Sequence, residues 1–262
     1  MRVGFAQFNP IFGKKDQNVA KALSLIENAD AELMVLPELF DTGYVFQSKE
    51  ETLKLASPIP ESNTVKELKR FSADKKMAVI AGIAEREGDK AYNSAITVLP
   101  NGSLYKYRKY HLFYKEKIHF ESGKLPIEIV PYKDARIGMM ICFDWIFPEM
   151  CRLLALKGAN IICHPSNLVL PYCQKAMVTR CLENRVFSIT CNRTGTEKRA
   201  GEEFKFTGMS RIVTPEGNVL CDGSRVKEQV EVVDINLKMA DNKNVTAYNH
   251  VIEDRRTDLY SL

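Results

Sequence analysis

The chain has no apolar run of membrane-spanning length and no dominant charge. No stretch approaches the roughly 20 apolar residues that cross a bilayer, and the opening Met1-Arg2-Val3-Gly4-Phe5-Ala6-Gln7-Phe8 is too short for a signal-peptide core. A membrane is therefore not an expected partner, and the chain reads as cytoplasmic. Thirty-seven basic residues stand against 33 acidic ones, a net charge of +4 with no long basic block. Nucleic acid is not an expected partner either. No Cys-x-x-Cys pair occurs. The seven cysteines, at 142, 151, 163, 173, 181, 191 and 221, are odd in number, and without an export signal they argue against structural disulfides. Cys163-His164 with Cys173 fits no regular zinc spacing, so no metal is expected. Linkers, repeats and low-complexity tracts are also missing. A chain of 262 residues with 45% hydrophobic content then fits a single domain over 1–262.

What is present is an alternation of short apolar runs with amphipathic segments. Strands are expected at 2–8, 33–36, 77–83, 94–99, 103–108, 136–141, 160–164, 186–191, 209–214 and 230–235. Helices are expected between many of them. In 18–29, Val19, Leu23 and Ile26 fall near one face; in 63–75, Asn63 offers a cap ahead of Val65, Leu68 and Phe71. Pro100-Asn101-Gly102 lies between two strands and reads as a hairpin turn, because Asn-Gly tolerates positive φ, and Pro215-Glu216-Gly217-Asn218 repeats the pattern. Helices after strands together with tight hairpins indicate an α/β protein with a mixed sheet.

Three of the strand-like runs stop at a reactive group. Leu33-Met34-Val35-Leu36-Pro37 delivers Glu38, Ser103 to Arg108 delivers Lys109, and Arg136 to Ile141 delivers Cys142, just ahead of a helix-like segment opening at Pro148. Ligands of open α/β sheets gather beyond the carboxyl ends of strands, so residues distant in sequence can meet there. Each has an ordinary alternative: a surface glutamate, a solvated strand end in Lys106-Tyr107-Arg108-Lys109-Tyr110-His111, and a small buried thiol. Strand alternation puts Arg108 and Lys109 on opposite faces, so one of them points inward. Backbone N–H groups at the junction after Cys142 favour an anion there, and hence a thiolate.

Leu36-Pro37-Glu38-Leu39-Phe40, Tyr107-Arg108-Lys109-Tyr110-His111-Leu112-Phe113 and Ile141-Cys142-Phe143-Asp144-Trp145-Ile146-Phe147-Pro148-Glu149 occur in this order. Together they resemble the carbon-nitrogen hydrolase family, the nitrilase superfamily, with the pattern of its archaeal-type nitrilases and amidases. The resemblance runs from Gly4-Phe5-Ala6-Gln7 to Arg255-Arg256-Thr257-Asp258-Leu259-Tyr260. It implies a four-layer α-β-β-α sandwich and a Glu-Lys-Cys triad that cleaves a small amide or nitrile to acid and ammonia without a cofactor. Glu38 would be the base, Cys142 the nucleophile and Lys109, with the Phe143 N–H, the stabiliser of developing negative charge. It further implies a second glutamate soon after the lysine: Glu116, with Glu121 as competitor. It also implies a homodimer, with 245–262 as a tail across the interface.

Substrate contacts are expected from Phe143, Trp145, Tyr44 and Asn167. Aromatic and aliphatic groups follow the nucleophile where relatives that cleave N-carbamoyl amino acids often carry arginine to grip a carboxylate. A neutral amide or nitrile is favoured, with an N-carbamoyl compound as the alternative. Trp145 has packing against the next helix as its other reading. Two positions depart from the family pattern, Ser122 and Thr257, each where proline is usual, and they bear on loop stiffness. Two other classes stay open: a Cys-His enzyme pairing Cys142 with His111 or His164, and a catalytically silent binding or scaffold protein.

Overall fold

The computed structural model describes residues 1–199 and 201–260. Two six-stranded mixed sheets stack face to face. The first runs, in spatial order, β14 (Gln229–Asp234), β1 (Arg2–Gln7), β2 (Leu33–Val35), β3 (Ala78–Glu87), β4 (Lys90–Val98) and β5 (Leu104–Arg108). The second runs β13 (Val219–Asp222), β12 (Arg211–Val213), β9 (Phe187–Asn192), β8 (Ile161–Ser166), β7 (Ala135–Met139) and β6 (Val130–Tyr132). Each has three parallel strands at its centre, β1-β2-β3 and β7-β8-β9, an antiparallel pair on one flank and a lone antiparallel strand on the other. The sheets are therefore copies in topology, a symmetry the side chains do not repeat.

Side-chain alternation sorts the layers. Val3, Phe5, Leu33, Val35, Ala78 and Ile80 face Ile137, Met139, Ile161, Cys163, Phe187 and Ile189 in one core cluster between the sheets. The intervening Met34, Val79 and Ala81 pack outward against Val19, Ala22 and Ile26 of α1 (Lys15–Ile26) and Val65 and Leu68 of α3 (Asn63–Lys75). Beyond the second sheet lie α5 (Pro148–Leu156) and α6 (Cys173–Asn184), with Cys151, Leu154, Cys173 and Met177 inward. Strands covered on both faces read as near-continuous apolar runs, and each fully buried aliphatic or phenyl group adds about 1.5–3 kcal/mol. The four-layer α-β-β-α sandwich is the observed fold. Among the described residues, no helix is long and apolar enough to cross a membrane.

Several sequence expectations shift. The first helix starts at Lys15 rather than Asn18. Asn63 is the first helical residue of α3 and not its cap; Ser62 holds the cap position and makes no side-chain cap bond. In the Pro100-Asn101-Gly102 turn only Gly102 takes a positive φ, +83°, and Gly217 does the same at +81° in the second turn. Short elements the sequence did not announce are α2 (Lys49–Leu55), α4 (Glu116–His119), α7 (Lys238–Asp241), β6, β13 and a separate hairpin of β10 (Thr196–Arg199) with β11 (Glu202–Lys205).

Candidate active site

Glu38 leaves β2 on a turn built by the strand beside it. Leu36 N–H bonds to Ile80, Gly82 N–H to Pro37 and Phe40 N–H to Gly82, at 2.8, 3.1 and 2.9 Å. Gly82 is required here: a Cβ would clash with Glu38 Cα and lie 2.9 Å from Leu39 N. Leu39 takes φ +48°, a region L-residues seldom enter. The carboxylate is fully buried. Its Oε1 accepts from Lys109 Nζ and Asn93 Nδ2, both at 2.7 Å, while Oε2 has no partner.

Lys109 follows β5 and is also fully buried. Its ammonium sits between Glu38 at 2.7 Å and both oxygens of Glu116 at 2.8 and 2.9 Å. Burial opposes the charge, but the Glu116 and Glu38 carboxylates outweigh it and hold the lysine above its usual range. The alternation requires one of Arg108 and Lys109 to point inward, and both are buried. Arg108 bonds to Glu85 and Glu87 and lies 3.7 Å over the Tyr92 ring.

Glu116 opens α4 and is gripped from three sides, by Lys109, by Tyr44 Oη at 2.8 Å and by Phe113 N–H at 3.1 Å. Burial pushes its carboxyl up, Lys109 draws it down and Glu38 raises it. Glu121, the competitor, is exposed and pairs with Lys49 at 3.4 Å. The structure thus brings Glu116 to the lysine and leaves Glu121 outside.

Cys142 follows the β7 run and has φ +41°, a strained conformation for a side-chain-bearing residue. It starts a short 3-10 turn, 142–146, so the cysteine lies one turn ahead of α5 and not at its N-terminus. Asp144 ties this elbow down. Its carboxylate accepts from Ile141 N–H at 2.9 Å, Tyr107 Oη at 2.8 Å and His111 N–H at 3.2 Å, joining the cysteine turn to the loop after Lys109. The expected thiolate is not what this environment favours: burial pushes the Cys142 thiol well above its ordinary range, Glu38 adds to that, and Lys109 opposes it. A raised thiol pKa favours the protonated sulfur, and Glu38, whose charge contributes to that rise, keeps one carboxylate oxygen without a partner.

In front of Cys142 lies a narrow pocket of about 10 Å³, room for one water, lined by Phe113, Phe143, Trp145, Asn167, Leu168 and Leu170. The much larger groove of about 860 Å³ between α1 and α3 contains no thiol or histidine, and a hollow of about 430 Å³ beside Phe143 and Phe147 is lined by His111 but by no thiol. Phe143 and Trp145 do reach the pocket, Trp145 while packing in the core beside Met150. Asn167 does too: its Nδ2 donates to Glu38 O at 2.9 Å and its backbone N–H faces the Cys142 sulfur. Tyr44 does not line this pocket. It stands behind Glu116, flanked edge-on by Phe204 and Phe206.

Two buried charges escaped the sequence reading. Glu197 accepts from the Tyr44 and Val45 N–H groups and from Arg193 Nη1 at 2.7 Å. Arg193, fully buried over the Phe206 ring, also reaches Asn9 and Pro10. Such residue types usually mark a surface; only the position of Arg193 just behind β9, as Asn167 is just behind β8, could have flagged it, and Glu197 within β10 carries no such signal.

Neither histidine addresses the sulfur as a base. His111 Nδ1 bonds to Asp144 at 2.8 Å and its ring stacks on Phe147. His164 is buried, with Nε2 donating to the Cys142 carbonyl at 2.9 Å and Nδ1 accepting from Thr190. Burial lowers it from 6.5 to about 4. Both folded and unfolded chains hold it neutral above pH 6.5; as the pH falls from there toward 4, only the unfolded chain takes the proton. Its burial therefore withdraws about 3 kcal/mol of stability across that window. Urea midpoints at pH 7.5 and 4.5 should fall further apart for the native chain than for His164→Gln; equal gaps would contradict this.

The four layers and a thiol set among an ammonium and two carboxyls define a hydrolase that works through a cysteine. The chain belongs to the carbon-nitrogen hydrolase family: the model described as "Carbon-nitrogen hydrolase" matches residues 2–243. It is 44% identical over 263 residues to a nitrilase of Pyrococcus abyssi, covering 99% of both chains. It is 30% identical over 243 residues to an (R)-stereoselective amidase of Pseudomonas sp, covering 90% of this chain and 85% of that one. A carbon-nitrogen hydrolase from Helicobacter pylori G27 shares the fold with a TM-score of 0.86 at 24% identity, over 99% of this chain and 96% of that one. The protein is an enzyme of carbon-nitrogen bond hydrolysis, acting on amides or nitriles.

Proposed function

We propose that Glu38, Lys109, Cys142 and Glu116 are the working groups and that the chain hydrolyses a small neutral amide or nitrile. The observation that carries this reading is the unpartnered Glu38 Oε2, buried in the cluster that holds Lys109, with the Glu38 charge among the causes that raise the Cys142 thiol. Glu38 takes the thiol proton as the sulfur bonds to the substrate carbon, so thiolate forms only during attack. Lys109 and the Phe143 N–H meet the charge developing on the carbonyl oxygen. The proton then passes from Glu38 to nitrogen, the C–N bond breaks, ammonia leaves, and Glu38 activates the water that opens the thioester. With a nitrile the first adduct is a thioimidate. Glu116 positions the ammonium and takes no part in the proton transfers.

The pocket lining contains no arginine, which favours a neutral acyl group over an N-carbamoyl amino acid. The chain acts as one cytoplasmic domain and pairs as a homodimer. Support for pairing comes from Ile146, Leu153, Leu156 and Leu182, exposed on and beside the adjacent α5 and α6, and from a tail in which Tyr248, Leu259 and Tyr260 are exposed. Residues 261 and 262 of that tail lie outside the described ones.

The test is ammonia release from a panel of amides, carbamoyl compounds and nitriles. Glu38→Gln should lose about 10³-fold, while His111→Ala and His164→Ala keep turnover within an order of magnitude. Collapse confined to the histidine variants would replace this mechanism with a Cys-His one. No ammonia from any compound would leave a scaffold role.

A further inference from the structure

Besides Glu38 Oε2, the buried side-chain oxygens without a donor include Asn93 Oδ1 and Asn167 Oδ1. Asn93 bonds Glu38 from β4 and is not part of the pocket wall. Asn167 lines the pocket that holds Cys142 and is 2% exposed. Its other polar groups face the machinery: the backbone N–H faces sulfur, and Nδ2 donates to the Glu38 carbonyl. A carbonyl oxygen only accepts, so the side-chain amide cannot be turned round, and the atom left over is the acceptor. Buried acceptors without donors are rare and costly, and call for an explanation.

We infer that Asn167 Oδ1 accepts an N–H from the reacting nitrogen, making Asn167 a specificity-determining residue that favours an unsubstituted carboxamide. This rests on the hydrolase reading above. A carboxamide NH₂ carries two donors, and two acceptors without partners, Glu38 Oε2 and Asn167 Oδ1, belong to residues flanking the sulfur. An ester oxygen or a nitrile nitrogen brings a lone pair instead, leaving Oδ1 unpaired against like polarity. As nitrogen gains its proton and departs, its N–H groups become stronger donors. The contact therefore tightens toward the transition state rather than merely holding the substrate.

The experiment compares kcat/KM for propionamide, methyl propionate and propionitrile, which share one acyl carbon skeleton, in the native chain, Asn167→Ala and Asn167→Asp. Asn167→Ala should lower the amide-to-ester and amide-to-nitrile ratios roughly 10- to 100-fold. Any loss from the missing Glu38 contact falls on all three compounds and cancels in the ratio. Asn167→Asp keeps an acceptor and should keep the ratios even as turnover falls. Parallel losses in Asn167→Ala, or unchanged ratios, would reduce Asn167 to a positioning residue and overturn the inference. A native chain that turns over the ester or nitrile but not the amide would overturn it while leaving the hydrolase reading intact. A native chain inert to all three defeats that reading first.

Discussion

Cys142→Ala is expected to release no measurable ammonia from any compound the native chain hydrolyses, a loss of at least about 10⁴-fold. No other thiol stands in reserve. Cys151 packs on Met140, Cys181 on Ser188 and Cys191 on the Ala6 carbonyl, each buried and pushed up in pKa by that burial. The substitution removes one sulfur from a wall of the pocket and leaves the Asp144 tether that shapes the elbow, so the fold should persist. Ammonia assays beside circular dichroism check both halves. Residual activity within 100-fold of native would move the nucleophile elsewhere.

Lys109→Met should strike stability as well as rate. Methionine fills a similar volume but brings no charge, so Glu38 and Glu116 would face each other, buried, with no cation between them. Loss of the charge facing the developing oxyanion costs about 10³-fold in turnover, and breaking a buried ion pair from one side costs about 3–5 kcal/mol. The sign of its pH dependence follows. Two crowded carboxyls have raised folded pKa values, so the penalty is present above those values and fades as falling pH protonates one of them. Urea unfolding at pH 8 and pH 5.5 should show the gap to the native chain narrowing in acid. A gap that widens would mean that Lys109 does not hold this cluster together.

The carboxyl ends of strands told most of this story in advance. Ten strand runs and the two helices over α1 and α3 were legible because apolar side chains repeat at periods of two and about 3.6, and Glu38, Lys109 and Cys142 stood where those runs stop. The β10–β11 hairpin was not legible: Thr196-Glu197-Lys198-Arg199 and Glu202-Glu203-Phe204-Lys205 read as solvated charge, and only Glu197 and Phe204 turn toward the site. The same logic hid Arg193. Glu116 and Glu121 are alike in composition and neighbourhood, and what separates them is a one-turn helix too short to predict. Tyr44 reads in the sequence as a wall residue, because its hydroxyl bond to Glu116 comes from a distant part of the chain that spacing does not reveal. The internal symmetry of the sheets is a property of strand order and direction, which side-chain patterns do not encode.

The most direct test of the central claim is the mass of the native protein quenched in acid during turnover of a primary carboxamide. Expected is a population heavier by one acyl group, the substrate less ammonia, mapped to the peptide carrying Cys142 and missing from Cys142→Ala. Sustained ammonia release with no acylated cysteine, or with the acyl group on a different one, would contradict it.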